Sequence, residues 1–227
     1  MEKLVGVILM AGLSTRFGGP KNKQLCLLNG KPVFSYSIDT FAKQNNIEKL
    51  IIVVNQENKA EVEQYVNENN IHATLILGGL TRQESVENAL KELSLMPNDI
   101  VIIHDAARPL VDLFIINQVA KAAIEYGAAT SYLEATDTIA IKNELDEVVE
   151  FPNRKVIAQI QTPQAFKYCI LKEAHDFAKG SEATDDCSLV MKLGNKVKLV
   201  KGDKKFHKIT TIEDIKYLEG LLNNARI

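Results

Sequence analysis

Short apolar runs rich in Val and Ile recur along this chain: "LVGVILM" near the start, then "LIIVV", "ATLIL", "DIVIIH" and "KVKLV". They are continuous rather than alternating, the pattern of strands covered on both faces. Helical spacings lie between them. Phe34, Ile38 and Phe41 share a face, as do Val86, Ala89, Leu90 and Leu93. Ile215, Leu218 and Leu222 do the same behind a capping box of Thr211 and Asp214. Strand and helix alternating at this pitch predict right-handed βαβ units. The fold class is then α/β: a mostly parallel, doubly wound, Rossmann-like sheet with helices on both faces. One segment departs from the rhythm. "DTIAIKNELDEVVEF" holds two β-prone runs around a polar turn at 143–147 and predicts a β-hairpin. Placed late in an α/β domain, the hairpin predicts a projecting arm at about 136–160, and an arm must pack on something, such as a partner subunit. The 227 residues, 46% hydrophobic and 25% charged, suit one such domain over 1–227.

The formal charge of -2, without a long run of one sign, argues against a general nucleic-acid or membrane-surface binder. No apolar run approaches the ~18 residues of a membrane-spanning helix. "MEK" runs straight into a strand without the apolar stretch of a signal peptide, so the expected location is cytoplasmic. Cys26, Cys169 and Cys187 are dispersed, which suits reduced structural thiols. The histidines are equally scattered, which does not suit a dedicated transition-metal site.

In open α/β sheets ligands bind beyond the carboxyl ends of the strands, so the loop after the first run, "LMAGLSTRFGGPKNKQ", is the first place to look. It is neither G-x-G-x-x-G nor G-x-x-x-x-G-K-[ST]. Small residues at Ala11, Gly12 and Ser14 let backbone N–H groups approach a phosphate. Arg16 and Lys23 then supply cations at two stations, which suits a triphosphate being split. "GGLTRQESV" places Arg82 and Ser85 on one face at a helix start, where a free hydroxyl suits a polar or anionic ligand. "VIIHDAARP" puts Asp105 just past a strand with Arg108 behind it. A carboxylate there, beside phosphates, is a natural Mg²⁺ ligand, and His104 reads as neutral and packed. Arg154 and Thr162 lie in a stretch framed by prolines. Lys208 precedes the last helix, where the helix dipole disfavours it unless an anion sits between.

Taken in order, "MAGLSTRFG" with Lys23, "GGLTRQESV", "HDAARP", Asp137–Thr138, Asn153–Arg154, "QTPQAF", "ATDDCSLV" and "HKITT" resemble the bacterial sugar-phosphate cytidylyltransferases over essentially the whole chain. "RQESV", "HDAARP" and "TDD" are similar to members acting on 2-C-methyl-D-erythritol 4-phosphate; "EATDTI" and "PNR" are similar to members acting on ribitol 5-phosphate. The resemblance is nearer the first. It implies transfer of CMP from CTP to methylerythritol phosphate, with release of pyrophosphate; the alternative product is CDP-ribitol. It implies that Arg16 and Lys23 stabilise the transition state and the departing pyrophosphate, that Lys208 touches the α-phosphate, and that Asp105 holds Mg²⁺, with Mn²⁺ as a substitute. Gly79, Arg82 and Ser85 would recognise cytosine and ribose. Backbone groups of Ala11, Gly12, Leu13 and Ser14 would line the triphosphate. Arg108, Thr138, Arg154 and Thr162 would form the acceptor side, partly carried across a homodimer interface by the arm. A nucleotide-binding module without turnover would keep the glycines but has no need of Arg16, Lys23 and Asp105 together. The chain departs from the family pattern at Met10, Leu80, Phe206 and His207.

Overall fold

Each of the five apolar runs forms a strand. The structure, a computed structural model, describes residues 2–12, 17, 22–178, 183 and 185–224. In chain order the strands are β1 (Leu4–Leu9), β2 (Leu27–Leu28), β3 (Lys31–Pro32), β4 (Ile47–Val54), β5 (Thr74–Leu77), β6 (Ile100–Asp105), β7 (Ala128–Glu134), β8 (Ile141–Lys142), β9 (Val148–Glu150), β10 (Ala158–Lys167) and β11 (Lys198–Lys201). The helices are α1 (Val33–Ala42), α2 (Lys59–Glu68), α3 (Arg82–Lys91), α4 (Leu113–Tyr126), α5 (Tyr168–Phe177), α6 (Asp186–Lys192) and α7 (Ile212–Asn224). Seven strands form one sheet in the order β11-β7-β10-β6-β1-β4-β5. All pairings in it are parallel except those of β10, which runs antiparallel to both β6 and β7.

The continuous apolar runs are explained by cover on both faces. On β1, Leu4 and Ile8 enter one core cluster while Val5, Val7 and Leu9 enter the other; β6 divides Ile100 and Ile102 from Val101 and Ile103 in the same way. The first cluster is closed by Phe34, Ile38 and Phe41 of α1, Val62 and Val66 of α2, and Ile115, Ile116 and Val119 of α4. The second is closed by Val86, Ala89 and Leu90 of α3, Leu171 and Ala174 of α5, and Leu189 and Val190 of α6. The two edge strands are the exceptions. β11 leaves Lys198, Leu199 and Lys201 exposed and β5 leaves Thr74 and Leu77 exposed, so "KVKLV" and "ATLIL" are not buried on both faces as their sequence suggested.

Two strands of the sheet carry little apolar signal. β7 opens with four small residues, "AATS", and β10 reads "AQIQTPQAFK". The pairing of β10 with β7 is interrupted between Ile160 and Gln164. The predicted hairpin forms as β8 and β9, whose turn is held by Asn143 Oδ1 accepting from the backbone N–H groups of Leu145 and Glu147, both at 3.0 Å. No helix of the described residues is long and apolar enough to cross a membrane.

Candidate functional site

The chain leaves β1 for β4 on one side and later returns to β6 on the other, so the sheet changes direction beside β1. A crevice opens at such a point, and the loops after β1 and β6 meet there. Met10 N–H donates to the Val53 carbonyl at 2.9 Å, and Ala106 N–H donates to the Leu9 carbonyl at 3.0 Å. Met10 itself is buried in the core with Phe34, so its extra bulk is absorbed beneath the loop. Asn58 Nδ2 donates to the Met10 carbonyl at 2.8 Å, and Asn55 Nδ2 to that of Ala11 at 3.2 Å. Met10 and Ala11 thus leave the strand on a fixed course. Gly78 is what lets β5 come close. A Cβ there would lie 2.4 Å from Ala11 Cβ and 2.7 Å from Ser85 Oγ, so only bare backbone fits. Leu13, Ser14 and Arg16 lie outside the described residues. Lys23, farther along, sends Nζ to the Ile209 carbonyl at 2.9 Å and so joins this loop to the segment carrying Lys208.

Thr81 caps α3 in a full capping box with Glu84. The Ser85 hydroxyl donates to the Thr81 carbonyl at 2.9 Å and accepts from Gly79 N–H at 3.2 Å. It is therefore not free, as the sequence reading had it; it fixes the backbone at Gly79. Leu80 stands 95% exposed beside this turn and is held through its N–H by Glu84 Oε2 at 2.6 Å.

Asp105 is the centre of the site. Arg82 Nε reaches its Oδ1 at 3.3 Å and Lys208 Nζ its Oδ2 at 2.6 Å. This supplies the anion that Lys208 required. Burial alone would raise the Asp105 pKa, but Lys208, Arg82 and Arg108 overcome it and hold the carboxyl well below the usual range. Burial opposes the charge on Arg82 as well, and Asp186 and Asp105 more than restore it. Arg108 donates from Nη1 to the Phe206 carbonyl at 2.8 Å, which ties the "FHKIT" segment to the end of β6. Two buried donors, Arg82 Nη2 and Arg108 Nε, have no hydrogen-bond partner among the described residues. Buried guanidinium hydrogens left over beside a carboxylate suit an incoming anion.

His104 is fully buried, and that burial, more than any neighbour, pushes its pKa down to about 4. The neutral ring fits one pattern of donors. Nε2–H donates to the Arg108 carbonyl at 3.1 Å; Nδ1 accepts from the Thr162 hydroxyl at 3.0 Å; and Thr162 Oγ1 accepts Asp105 N–H at 3.1 Å. The interruption in β10 places Thr162 here, and the relay fixes the backbone of both Asp105 and Arg108.

The structure thus brings together Arg82, Asp105, Arg108, Thr162 and Lys208, with Gly79 and Ser85 adjoining and Lys23 tethered to Ile209. Thr138 and Arg154 lie elsewhere. Both are exposed; Arg154 Nη1 donates to the Thr136 carbonyl at 3.0 Å, and no hydrogen bond or ion pair among the described residues joins either one to Asp105. Sequence reasoning assigned no role to Asp185, Asp186, Gln164 or His175. Asp186 accepts from Arg82 Nη1 at 2.5 Å, and Asp185 accepts from Gln164 Nε2 at 2.6 Å. The available signal was the pair of acids at the start of a helix, where Asp185 is the N-cap.

No group of three or more His, Cys, Asp or Glu side chains able to hold a metal occurs among the described residues. A single ionised carboxylate beside an anion site fits a hard divalent cation that takes its other ligands from phosphate and water. Since Lys208 occupies one Asp105 oxygen, such a cation fits once Lys208 turns to a phosphate.

A sequence model described as "IspD: 2-C-methyl-D-erythritol 4-phosphate cytidylyltransferase" matches residues 4–224. The chain is 39% identical over 221 residues to 2-C-methyl-D-erythritol 4-phosphate cytidylyltransferase of Clostridium perfringens, covering 95% of this chain and 96% of that protein. It is 37% identical to the protein of that name from Dictyoglomus thermophilum, with full coverage of both. Among solved structures, it resembles 4-diphosphocytidyl-2C-methyl-D-erythritol synthase of Anaerococcus prevotii with a TM-score of 0.85 at 26% identity, covering 98% and 99% of the two chains. The Thermus thermophilus 2-C-methyl-D-erythritol 4-phosphate cytidylyltransferase matches with a TM-score of 0.79 at 30% identity, covering 98% and 100%.

Proposed function

The chain belongs to the 2-C-methyl-D-erythritol 4-phosphate cytidylyltransferase family, and from that premise we propose how its residues divide the work of the reaction. The enzyme transfers CMP from CTP to 2-C-methyl-D-erythritol 4-phosphate, giving 4-diphosphocytidyl-2-C-methyl-D-erythritol and pyrophosphate, a step in isoprenoid biosynthesis. The acceptor's phosphate oxygen attacks the α-phosphorus of CTP, the P–O bond to pyrophosphate breaks, and no protein nucleophile is needed. Two polyanions must be brought together, so positioning and electrostatics supply the catalysis.

Lys208 takes the α-phosphate, and Lys23 with Arg16 takes the charge that develops on the leaving pyrophosphate. Ala11, Gly12, Leu13 and Ser14 line the triphosphate through their backbone. Gly79, its turn set by Ser85, and Arg82 face cytosine and ribose. Arg108 and Thr162 serve the acceptor, joined by Thr138 and Arg154 from the arm of a second copy, so the active species is a homodimer. Asp105 holds Mg²⁺, which neutralises phosphate charge when bound.

The observation that supports this reading most is the buried Asp105 with Lys208 and Arg82 on its two oxygens at the sheet's switch point. Such a group exchanges a carboxylate for phosphate partners without moving backbone. The test is pyrophosphate release by the purified protein with CTP and Mg²⁺, offered either methylerythritol phosphate or ribitol 5-phosphate. Turnover is expected with the first, and Asp105→Asn is expected to lose metal-dependent activity. An Asp105→Asn variant with wild-type metal dependence would remove Asp105 from this role.

A further inference from the structure

The two acids of "TDD" hold no role in the scheme above, yet Asp186 is only 1% exposed and touches the site directly. We propose that Asp186 is a positioning residue for Arg82, deciding which guanidinium hydrogens are left for the nucleotide. This rests on the reading that Arg82 contacts CTP.

A guanidinium offers donors on three nitrogens in one rigid plane. Asp105 Oδ1 takes Nε at 3.3 Å from the end of β6, and Asp186 Oδ2 takes Nη1 at 2.5 Å from the first turn of α6. Two carboxylates on different elements fix that plane. Nη2 remains, buried and without a partner among the described residues.

Asp186 is itself held. Its other oxygen accepts from His175 Nε2 at 2.9 Å, and His175 is buried on α5 with Nδ1 3.7 Å from Glu87 of α3. Burial opposes ionisation of Asp186, but Arg82 and His175 keep its pKa low. The neighbouring acid has a different task. Asp185 Oδ1 caps α6 through Cys187 N–H at 2.8 Å, while its Oδ2 holds Gln164 of β10. So Asp185 fastens α6 to the sheet, and Asp186 projects from that fixed turn onto Arg82.

Without the Asp186 charge, the strongest partner left to Arg82 is Asp105. The guanidinium then turns onto Asp105, spends its spare N–H there, and competes with Lys208. Nucleotide binding suffers before chemistry does. A merely structural ion pair would instead alter stability and leave affinity unchanged.

The test is CTP affinity by calorimetry with Mg²⁺, together with steady-state kinetics, on the full-length protein. Asp186→Asn keeps the shape and removes the charge; Kd and KM for CTP are expected to rise roughly 10- to 100-fold, more than kcat falls. His175→Leu is expected to weaken CTP binding in the same direction, and His175→Gln, which keeps a donor, to restore it. In the Arg82→Gln background, Asp186→Asn is expected to add nothing. A folded Asp186→Asn protein with unchanged CTP affinity, or one whose effect adds in full to that of Arg82→Gln, overturns the proposal. If Asp186→Asn does not fold, equal CTP affinity in the two His175 variants overturns it. If Arg82→Gln alone binds CTP normally, the assignment of Arg82 to the nucleotide is what fails, and the proposal falls with it. If Arg82→Gln weakens binding and Asp186→Asn does not, only the positioning role is lost.

Discussion

Lys208 and His104 flank Asp105 and make opposite uses of charge. Lys208 is part exposed and bonded to Asp105 at 2.6 Å, so it is a cation parked on a carboxylate. Lys208→Ala is expected to lower kcat by roughly 10²–10³ and to change CTP affinity less, as for other preorganised donors to a transition-state anion. Near wild-type turnover at saturating substrate would exclude Lys208 from that role. His104 must instead stay uncharged, because Nδ1 accepts from Thr162. Its pKa falls from 6.5 to about 4 on folding. The native state therefore refuses a proton that the unfolded chain accepts. The stability tied to neutrality is present above pH ~6.5 and lost progressively as pH falls toward ~4. Between pH 7 and pH 5 this single group costs about 2 kcal/mol. Urea unfolding at the two pH values should show that loss in the wild type and a smaller one in His104→Gln. Equal losses would mean that the histidine is not held neutral.

Elements deliver these side chains through close backbone approaches, and one of them is where β5 ends beside the loop after β1. Gly78→Ala would set a methyl 2.4 Å from Ala11 Cβ and 2.7 Å from Ser85 Oγ, and neither neighbour is the far end of a flexible chain. Overpacking of this kind costs typically 1–3 kcal/mol. Here it displaces both Ala11 and the Ser85–Gly79 bond, so KM for CTP should rise along with the loss of stability. A Gly78→Ala enzyme with unaltered CTP kinetics would show that the nucleotide does not lie against this junction. The same scale separates what sequence revealed from what it hid. β1, β4 and β6 were legible because both their faces are apolar and covered. β10 was not, because Gln161, Thr162 and Gln164 are buried polar residues whose hydrogen bonds stand in for apolar burial; Gln161 Nε2, for example, donates to the Asp203 carbonyl. Periodicity cannot register a bond to a partner 42 positions away. Asp105, the last residue of β6, could be singled out from its place at the end of an apolar run. His175 could not, and for Asp186 the pair of acids marked only a helix start, since what both residues hold lies in what α5 and α6 pack against.

At the scale of the whole molecule, the hairpin poses a problem that the rest of the fold does not solve. β8 and β9 pair with each other as a separate sheet, while Ile141, Leu145, Val148, Val149, Phe151 and Val156 are all exposed, Leu145 and Val156 at 78%. Apolar exposure this concentrated marks a contact surface. Thr138 and Arg154 ride on the same segment, and no hydrogen bond or ion pair among the described residues joins either to Asp105. A homodimer in which each arm crosses to its partner would cover the apolar residues and complete the acceptor side at once, and a two-fold axis makes both exchanges equivalent. Replacing residues 139–150 with a short Gly-Ser linker should shift the protein to monomer in sedimentation and depress turnover. A variant that stays fully dimeric would place the main interface elsewhere. Mixing tests the crossing itself. Arg154→Ala spoils the arm and leaves the Lys208 site whole; Lys208→Ala does the reverse. If arms cross, a hybrid dimer holds one site with an intact Lys208 and an intact Arg154 from opposite chains. Random exchange of the two inactive variants should then restore about a quarter of wild-type activity. If each arm serves its own chain, every site in the hybrid carries one lesion, and no activity returns at any mixing ratio.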